Sequence, residues 1–289
     1  MADTTGQADL RSENIERAVK GFALQNYKFK QLCMINSSGA WSESYYRETA
    51  ADPTNVGNTN LKIPRLAKFP YLEPSWTKVT GYNEKYGGEG IISYEDGITN
   101  NVDVVARTLL RIARSITKAV DDEIWDVITE SQSPSTINTY AITAGYEWDA
   151  AVVANRRPLN DLLQARKEIG IDNHEIGDKG FVALSEADFA MLLSNESVRN
   201  AGQFYTADAS RNGVVGRIVG LTVIVSNSVT NDNALVGIAK EGATWKSVVP
   251  LTIVTKYEPG ISWTIRGWEI GHTQLVNPTM FCLITNTQA

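Results

Sequence analysis

The chain is 289 residues long and poor in several residue types that commonly carry chemistry. It has two cysteines, Cys33 and Cys282, near opposite ends. There is no CxxC and no Cys/His cluster, so a structural zinc site of the usual kind is excluded. A disulfide scaffold is excluded for the same reason. A single Cys33–Cys282 bridge fits the count, but two reduced thiols in a cytosolic protein fit better. Histidine is equally scarce. His174 lies in the polar stretch Ile171–Asp178 and His272 near a strand end. Both read as surface or hydrogen-bonded residues rather than general bases. Long apolar runs are missing. The longest strongly apolar run, Val248–Val254, is far short of the ~20 residues a membrane helix needs. The segment Met1–Gln7 is polar and lacks the apolar core of a signal peptide. The expectation is a soluble protein with no membrane contact. Basic residues are not in excess: 27 Lys and Arg stand against 33 Asp and Glu, a net charge of −6. That argues against coating nucleic acid with cations, though not against enclosing it. Finally, there is no GxSxG, Walker A, HExxH or GxGxxG motif.

These absences lead to an expectation of no enzyme activity and no catalytic, cofactor-binding or metal residues. Two polar runs stand against it. Asp121-Asp122-Glu123 has the charge for a divalent cation, but successive carboxylates point to different faces of a helix. A solvated face or a subunit salt bridge is the better reading. Arg156-Arg157 has the charge for phosphate and reads more simply as exposed.

What is present is globular in character. Hydrophobic residues make up 43% and charged residues 21%, near the average for folded domains. The length suits one large domain or two interlocked ones, with enough chain to bury a core. Residues 1–60 read as an arm. Ile15, Val19, Phe22 and Ala23 share a helical face behind a Ser12 cap. A polar stretch including Asp52–Asn60 follows, too poor in apolar residues to form a core alone. Its aromatics Trp41, Tyr45 and Tyr46 need a surface, on this domain or on a neighbouring subunit. Pro64, Pro70 and Pro74 exclude a continuous helix. Trp76–Thr80 and Ile91–Tyr94 read as the strands of a protruding β-hairpin, with the glycine-bearing Asn83–Gly90 as its tip.

Residues 102–130 give the clearest periodicity. Val105, Leu109, Ile112, Ile116, Val120, Ile124 and Ile128 form one stripe of a long amphipathic helix. Asn100 is placed to cap it, with Asp103 three residues on, and Ser131–Pro134 ends it. Its basic residues (Arg107, Arg111, Arg114, Lys118) precede its acidic ones (Asp121, Asp122, Glu123, Asp126). The helix dipole favours the reverse order, so something other than local stability, such as a partner, holds it. Beyond the helix, Pro158–Ile169 reads as a helix with Leu159, Leu162, Leu163 and Ile169 inward and Gly170 as C-cap. Phe181–Leu184 is a buried strand, and Ser185–Asp188 opens another helix. Val198–Gly213 is a polar loop. Ile218–Val225, Ala234–Ala239 and Val248–Lys256 are strongly β, as are Ile261–Gly271 and Met280–Thr285 around a break at Asn277-Pro278. The expected class is α+β with a mixed sheet.

This order of elements resembles the major capsid proteins of tailed bacteriophages with the HK97 fold. Leu110–Ile124 looks like the end of that family's spine helix. Trp148–Gly170 is similar to its first axial-domain helix, Phe181–Asn195 to the strand–helix pair that follows, and Gly216–Ser226 to its next strand. The resemblance covers most of residues 60–289. It implies an N-terminal arm over 1–60 and an E-loop over 61–95. A peripheral P-domain would comprise 96–149 and 251–289, with the spine helix at 102–130. An axial A-domain would comprise 150–250. It further implies pentamers and hexamers in an icosahedral virion shell, assembled in the host cytoplasm around double-stranded DNA with no sequence-specific binding. Portal and separate scaffolding or decoration proteins are the implied partners. Some members cross-link subunits through Lys and Asn; nothing marks Lys68, Lys78 or Lys85 as reactive, so no cross-link is expected. Quasi-equivalent packing implies hinges near Gly57 and Gly97. The rival readings are an encapsulin-type compartment, an α/β enzyme with an unrecognised site, and a nucleic-acid-binding protein.

Overall fold

A computed structural model describes residues 17, 19, 27–48, 63–69, 76–99, 104–199 and 216–289. The Ser12 and Asn100 caps, the residues around Gly57 and most of the 198–213 loop lie outside the described residues. Of the arm's helical face, Val19 is described; it is helical and fully buried.

Two sheets organise the chain. The first is four-stranded, in the order β1 (Met34–Ser37), β10 (Ala243–Glu258), β11 (Ser262–Leu275), β4 (Glu84–Ser93). The second is six-stranded, in the order β5 (Asn138–Ala141), β12 (Phe281–Thr285), β9 (Asn233–Ile238), β6 (Gly180–Leu184), β8 (Leu221–Val225), β7 (Arg217–Ile218). Parallel pairs (β1·β10, β12·β5, β6·β8) mix with antiparallel ones. A separate two-stranded ribbon joins β2 (Ser42–Glu48) to β3 (Trp76–Tyr82). The longer helical spans among the described residues are α1 (Tyr94–Thr99), α2 (Val104–Ile128), α3 (Pro158–Ile171) and α4 (Glu186–Ser194).

The six-stranded sheet is buried on both faces. Successive strand residues point to opposite sides. Phe181 and Ala183, Leu235, and Phe281 and Leu283 face a core shared with α2 and the arm. Val182 and Leu184, Ala234 and Val236, and Cys282 and Ile284 face a second core that includes Leu162, Ala165 and Ile169 of α3 and Leu192 of α4. This is why these strands read as continuous apolar runs rather than alternating ones. The other core wraps α2, whose buried Leu109, Ile112, Ile116, Val120, Ile124 and Ile128 match the expected stripe; Val105 packs at its margin.

Five sequence-based expectations change. First, Trp76–Thr80 and Ile91–Tyr94 do not pair as a hairpin. β3 pairs with β2, and β4 pairs with β11. Only Asn83 separates β3 from β4, too little chain to reverse direction, since the shortest common hairpin loops use two residues. Second, the glycines read as the turn tip are strand residues of β4, where α2 crosses closely. A Cβ on Gly90 would meet Thr108 Cγ2 at 2.5 Å. Third, Leu163 points outward, and the polar Asp161 is buried instead. Fourth, α3 runs through Gly170 to Ile171, and Asn173 (φ 64°) takes the left-handed position after its end. Fifth, Ile218–Val225 is not one strand. Val219 (φ 54°) and Gly220 (φ 77°) form a two-residue turn with both φ positive, and β7 folds back on β8. Arg166 Nη1 donates to Val219 O at 2.6 Å, holding a turn that valine alone disfavours.

The long helix also ends unusually. Glu130, Ser131 and Gln132 all have φ between 49° and 66°, a left-handed turn without glycine. Each such residue costs roughly 1–2 kcal/mol. The Glu130 carboxylate offsets this by accepting from Thr136 N (3.0 Å), Thr136 Oγ1 (2.5 Å), Ser135 Oγ (3.2 Å) and Ser135 N. Those hydrogen bonds, led by the one from Thr136 Oγ1, outweigh burial and hold its pKa below the usual value.

Candidate assembly surfaces

The arm is tied down by buried charge. Asp121 sits on the inward side of α2, following Thr117 by one turn. Its Oδ2 accepts from Lys28 N at 2.7 Å, and its Oδ1 from Phe29 N and Lys30 N, both at 3.1 Å. Burial nevertheless dominates and pushes its carboxyl up to about 6. Beside it, Glu269 of β11 is fully buried and accepts from Tyr27 Oη at 2.6 Å and from Lys30 Nζ. The Lys30 ammonium also lies over the Tyr27 ring at 4.3 Å. Burial first, and the Glu269 charge next, push the Tyr27 hydroxyl well above its ordinary range. Phe29 packs on Trp125 with ring centroids 5.6 Å apart. The expectation of a solvated Asp121 is therefore corrected: it is the receptor for three arm amides. Asp122 is the solvated one, paired with Lys118 at 2.7 Å. The sequence signal for Asp121 was its position among inward residues, at i+4 from Thr117 and i−3 from Ile124.

The β2–β3 ribbon has two unlike faces. Its Arg47–Glu48 end is tied to the body. Glu48 N donates to Val276 O at 2.9 Å, Asn277 Nδ2 donates to Glu48 Oε2 at 2.5 Å, and Arg47 pairs with Glu130 at 3.4 Å. The outer face carries Tyr46 and Trp76, 59% and 58% exposed, with their rings 6.0 Å apart, together with Tyr82 at 67%. Trp41 and the segment 63–69, including Leu66 and Phe69, are exposed as well. Large exposed aromatics in one region mark an interaction surface rather than a core.

At the ribbon's base, Asn83 is buried. It donates through Nδ2 to Ala40 O (2.7 Å) and Trp41 O (3.1 Å), and its Oδ1 lies 2.7 Å from His272 Nδ1. His272 Nε2 lies 2.9 Å from Gln274 Nε2. His272 is thus a buried, hydrogen-bonded residue. Burial lowers its pKa, the Glu43 charge opposes, and Lys246 adds to the lowering. His174 Nε2 lies 2.8 Å from Thr279 Oγ1.

The remaining sequence candidates lie far apart in the fold. Arg156 donates to Ala150 O (2.7 Å) and Asp149 O (3.2 Å), and Arg157 lies over the Tyr146 ring at 5.9 Å. Both arginines therefore brace a loop. Cys33 and Cys282 are buried free thiols, each pushed up to about 12 by burial. They belong to different cores. Lys68 and Lys78 are exposed, and Lys85 lies over the Trp268 ring at 5.2 Å. Among the described residues, no group of three or more His, Cys, Asp or Glu side chains is arranged to hold a metal ion. No helix among them is long and apolar enough to cross a membrane.

Comparison with known proteins places this architecture. No curated protein sequence matches the chain. Solved structures do match in fold. The capsid of the cyanophage P-SCSP1u aligns with TM-score 0.68 at 13% identity, over 90% of this chain and 88% of that one. Mycobacterium phage Che8 aligns at 0.64 and 16%, over 91% and 93%. A virus-like particle from Pyrococcus furiosus aligns at 0.64 and 12%, over 94% and 98%. The shared fold is the HK97-like capsid fold. The family model described as phage capsid protein matches residues 78–274, which take in α2, most of the ribbon's second strand, and both sheets apart from β1, β12 and the last residue of β11. The chain belongs to the phage capsid protein family.

Proposed function

We propose that this chain is the major capsid protein of a tailed bacteriophage, assembling as pentamers and hexamers into an icosahedral shell around double-stranded DNA. The observation that carries the reading is the ribbon's outer face. Tyr46, Trp76 and Tyr82 share one face of the ribbon and find little cover among the described residues. A neighbouring copy laid across that face supplies it. Assembly takes place in the host cytoplasm, with a portal and, where needed, separate scaffolding or decoration proteins as partners.

We assign the regional roles by sheet. The four-stranded sheet with α2 is the peripheral body. The six-stranded sheet with α3 and α4 is the axial body, and it takes β5 and β12 from either side of 150–250. The ribbon and residues 49–75 between its strands correspond to the E-loop. Residues up to about 41 form the arm. Gly97, whose Cβ position lies 2.6 Å from the Trp263 ring, is a candidate hinge only if that ring moves with it.

The test is negative-stain electron microscopy of the purified protein beside a sizing column. Closed icosahedral particles or discrete pentamers and hexamers support the reading; a chain that stays monomeric under crowding refutes it. A second reading, an encapsulin-type compartment, draws on the likeness to the Pyrococcus furiosus particle across nearly both full chains. Nuclease-protected DNA in native particles supports the capsid, and protein cargo supports the compartment.

A further inference from the structure

The solvent face of α2 carries a line of cations. Arg107, Arg111, Arg114 and Lys118 are all exposed and recur at spacings of four, three and four. At 3.6 residues per turn they fall within an arc of about 60° and along about 16 Å of helix. Lys118 is paired with Asp122. The three arginines meet no carboxylate among the described residues. Arg107 lies in the first turn of α2, where the helix dipole is already positive. No carboxylate among the described residues offsets that cost, and the chain as a whole is acidic, at −6.

The composition of this face separates two kinds of partner. An interface between protein copies centres on desolvated aromatic or apolar side chains. The ribbon has them, whereas no large exposed hydrophobic lies anywhere on α2. A straight row of free guanidinium groups with no apolar centre instead suits a row of phosphates, which arginine grips as a planar fork. Contacts to phosphates carry no sequence information, so the contact is blind to sequence.

We propose that the Arg107–Arg111–Arg114 stripe binds the phosphate backbone of double-stranded DNA running along α2. This rests on the reading that the chain encloses DNA, and it adds the surface that touches it. The probe is a fluorescein-labelled duplex of 30 base pairs and mixed sequence. Its binding to the unassembled full-length protein is followed by fluorescence anisotropy between 50 and 200 mM NaCl. Three released phosphate counterions give a slope of log K against log salt of about −3 and an affinity loss of about 40-fold over that range. The triple variant R107Q/R111Q/R114Q flattens the slope, and R107K/R111K/R114K preserves it. The control variant K256Q changes neither. If the triple variant does not fold, R111Q alone reduces the steepness by about 1.

An unchanged slope in the glutamine variants, or no binding by the unaltered protein at 50 mM salt, overturns the proposal. So does a triple variant that binds DNA normally but makes no particles, because the stripe is then a protein contact. Electron microscopy of the unaltered protein keeps the outcomes apart. Shells without stripe-dependent DNA binding sink only this inference, whereas the absence of shells sinks the capsid reading itself.

Discussion

The six-stranded sheet and the β2–β3 ribbon are both built from short strands, yet they bury opposite amounts of themselves. Every residue of β6 and β9 is buried, whereas none is buried in β2 or β3: three of the seven residues of β2 and five of the seven of β3 are exposed, among them Ser44, Tyr46, Lys78 and Tyr82. The sheet is finished inside one chain. The ribbon is finished on one face only. The difference shows where folding ends and association begins: side chains that could have formed a core are instead held out on a ribbon pinned by Glu48, Arg47 and Asn83.

Four measurements sharpen or break this contrast. The largest effect is expected in the sheet. Phe281→Ala removes a ring that packs edge-on to Phe181 at 6.4 Å and should cost about 3–5 kcal/mol in urea unfolding of the subunit. A loss below 1 kcal/mol would mean that the sheet is not the centre of stability. Next is the arm anchor. Asp121→Ala leaves three backbone N–H groups without their acceptor, at about 1–3 kcal/mol. Hydrogen exchange should accelerate at residues 28–30 while the amides of β9 stay protected.

The third measurement concerns pH. His272 has a lowered folded pKa, so below its ordinary value of 6.5 the unfolded chain takes up a proton that the folded chain refuses. Stability should fall as pH drops through that value, and His272→Gln should remove the slope. Asp121 acts the other way between about 6 and its ordinary 3.8, which makes the variant comparison essential. The smallest effect on stability belongs to the ribbon. Trp76→Ala should change subunit unfolding by less than about 0.5 kcal/mol, yet raise the protein concentration needed for assembly by about tenfold or more. Equal effects on both would erase the distinction between the two regions.

Legibility in the sequence followed the same divide. α2 was readable because one stripe of apolar residues meets one core. β6 and β12 were readable because both their faces are covered. The ribbon pairing escapes the sequence because Gly87, Gly88 and Gly90 look like a turn; a side chain at Gly90 would strike the helix α2, and one at Gly87 would strike β11. The Val219-Gly220 turn escaped because valine rarely sits at positive φ, and only Arg166, from another element, explains it. Asp121 and Glu269 escaped as receptors because a buried carboxylate has no local signature. Its partners are supplied by an arm some 90 residues or more away in the chain.

The sheet between the two cores is also a partition, and partitions do not tolerate shifts in spacing. One residue inserted into β9 would exchange Leu235 with its neighbours and turn each subsequent side chain into the wrong compartment. By contrast, the turn between β10 and β11 at Pro259-Gly260 is exposed, and a Cβ on Gly260 would touch nothing within 4 Å. A foreign peptide carried by this chain belongs at that turn, where added length leaves both compartments undisturbed.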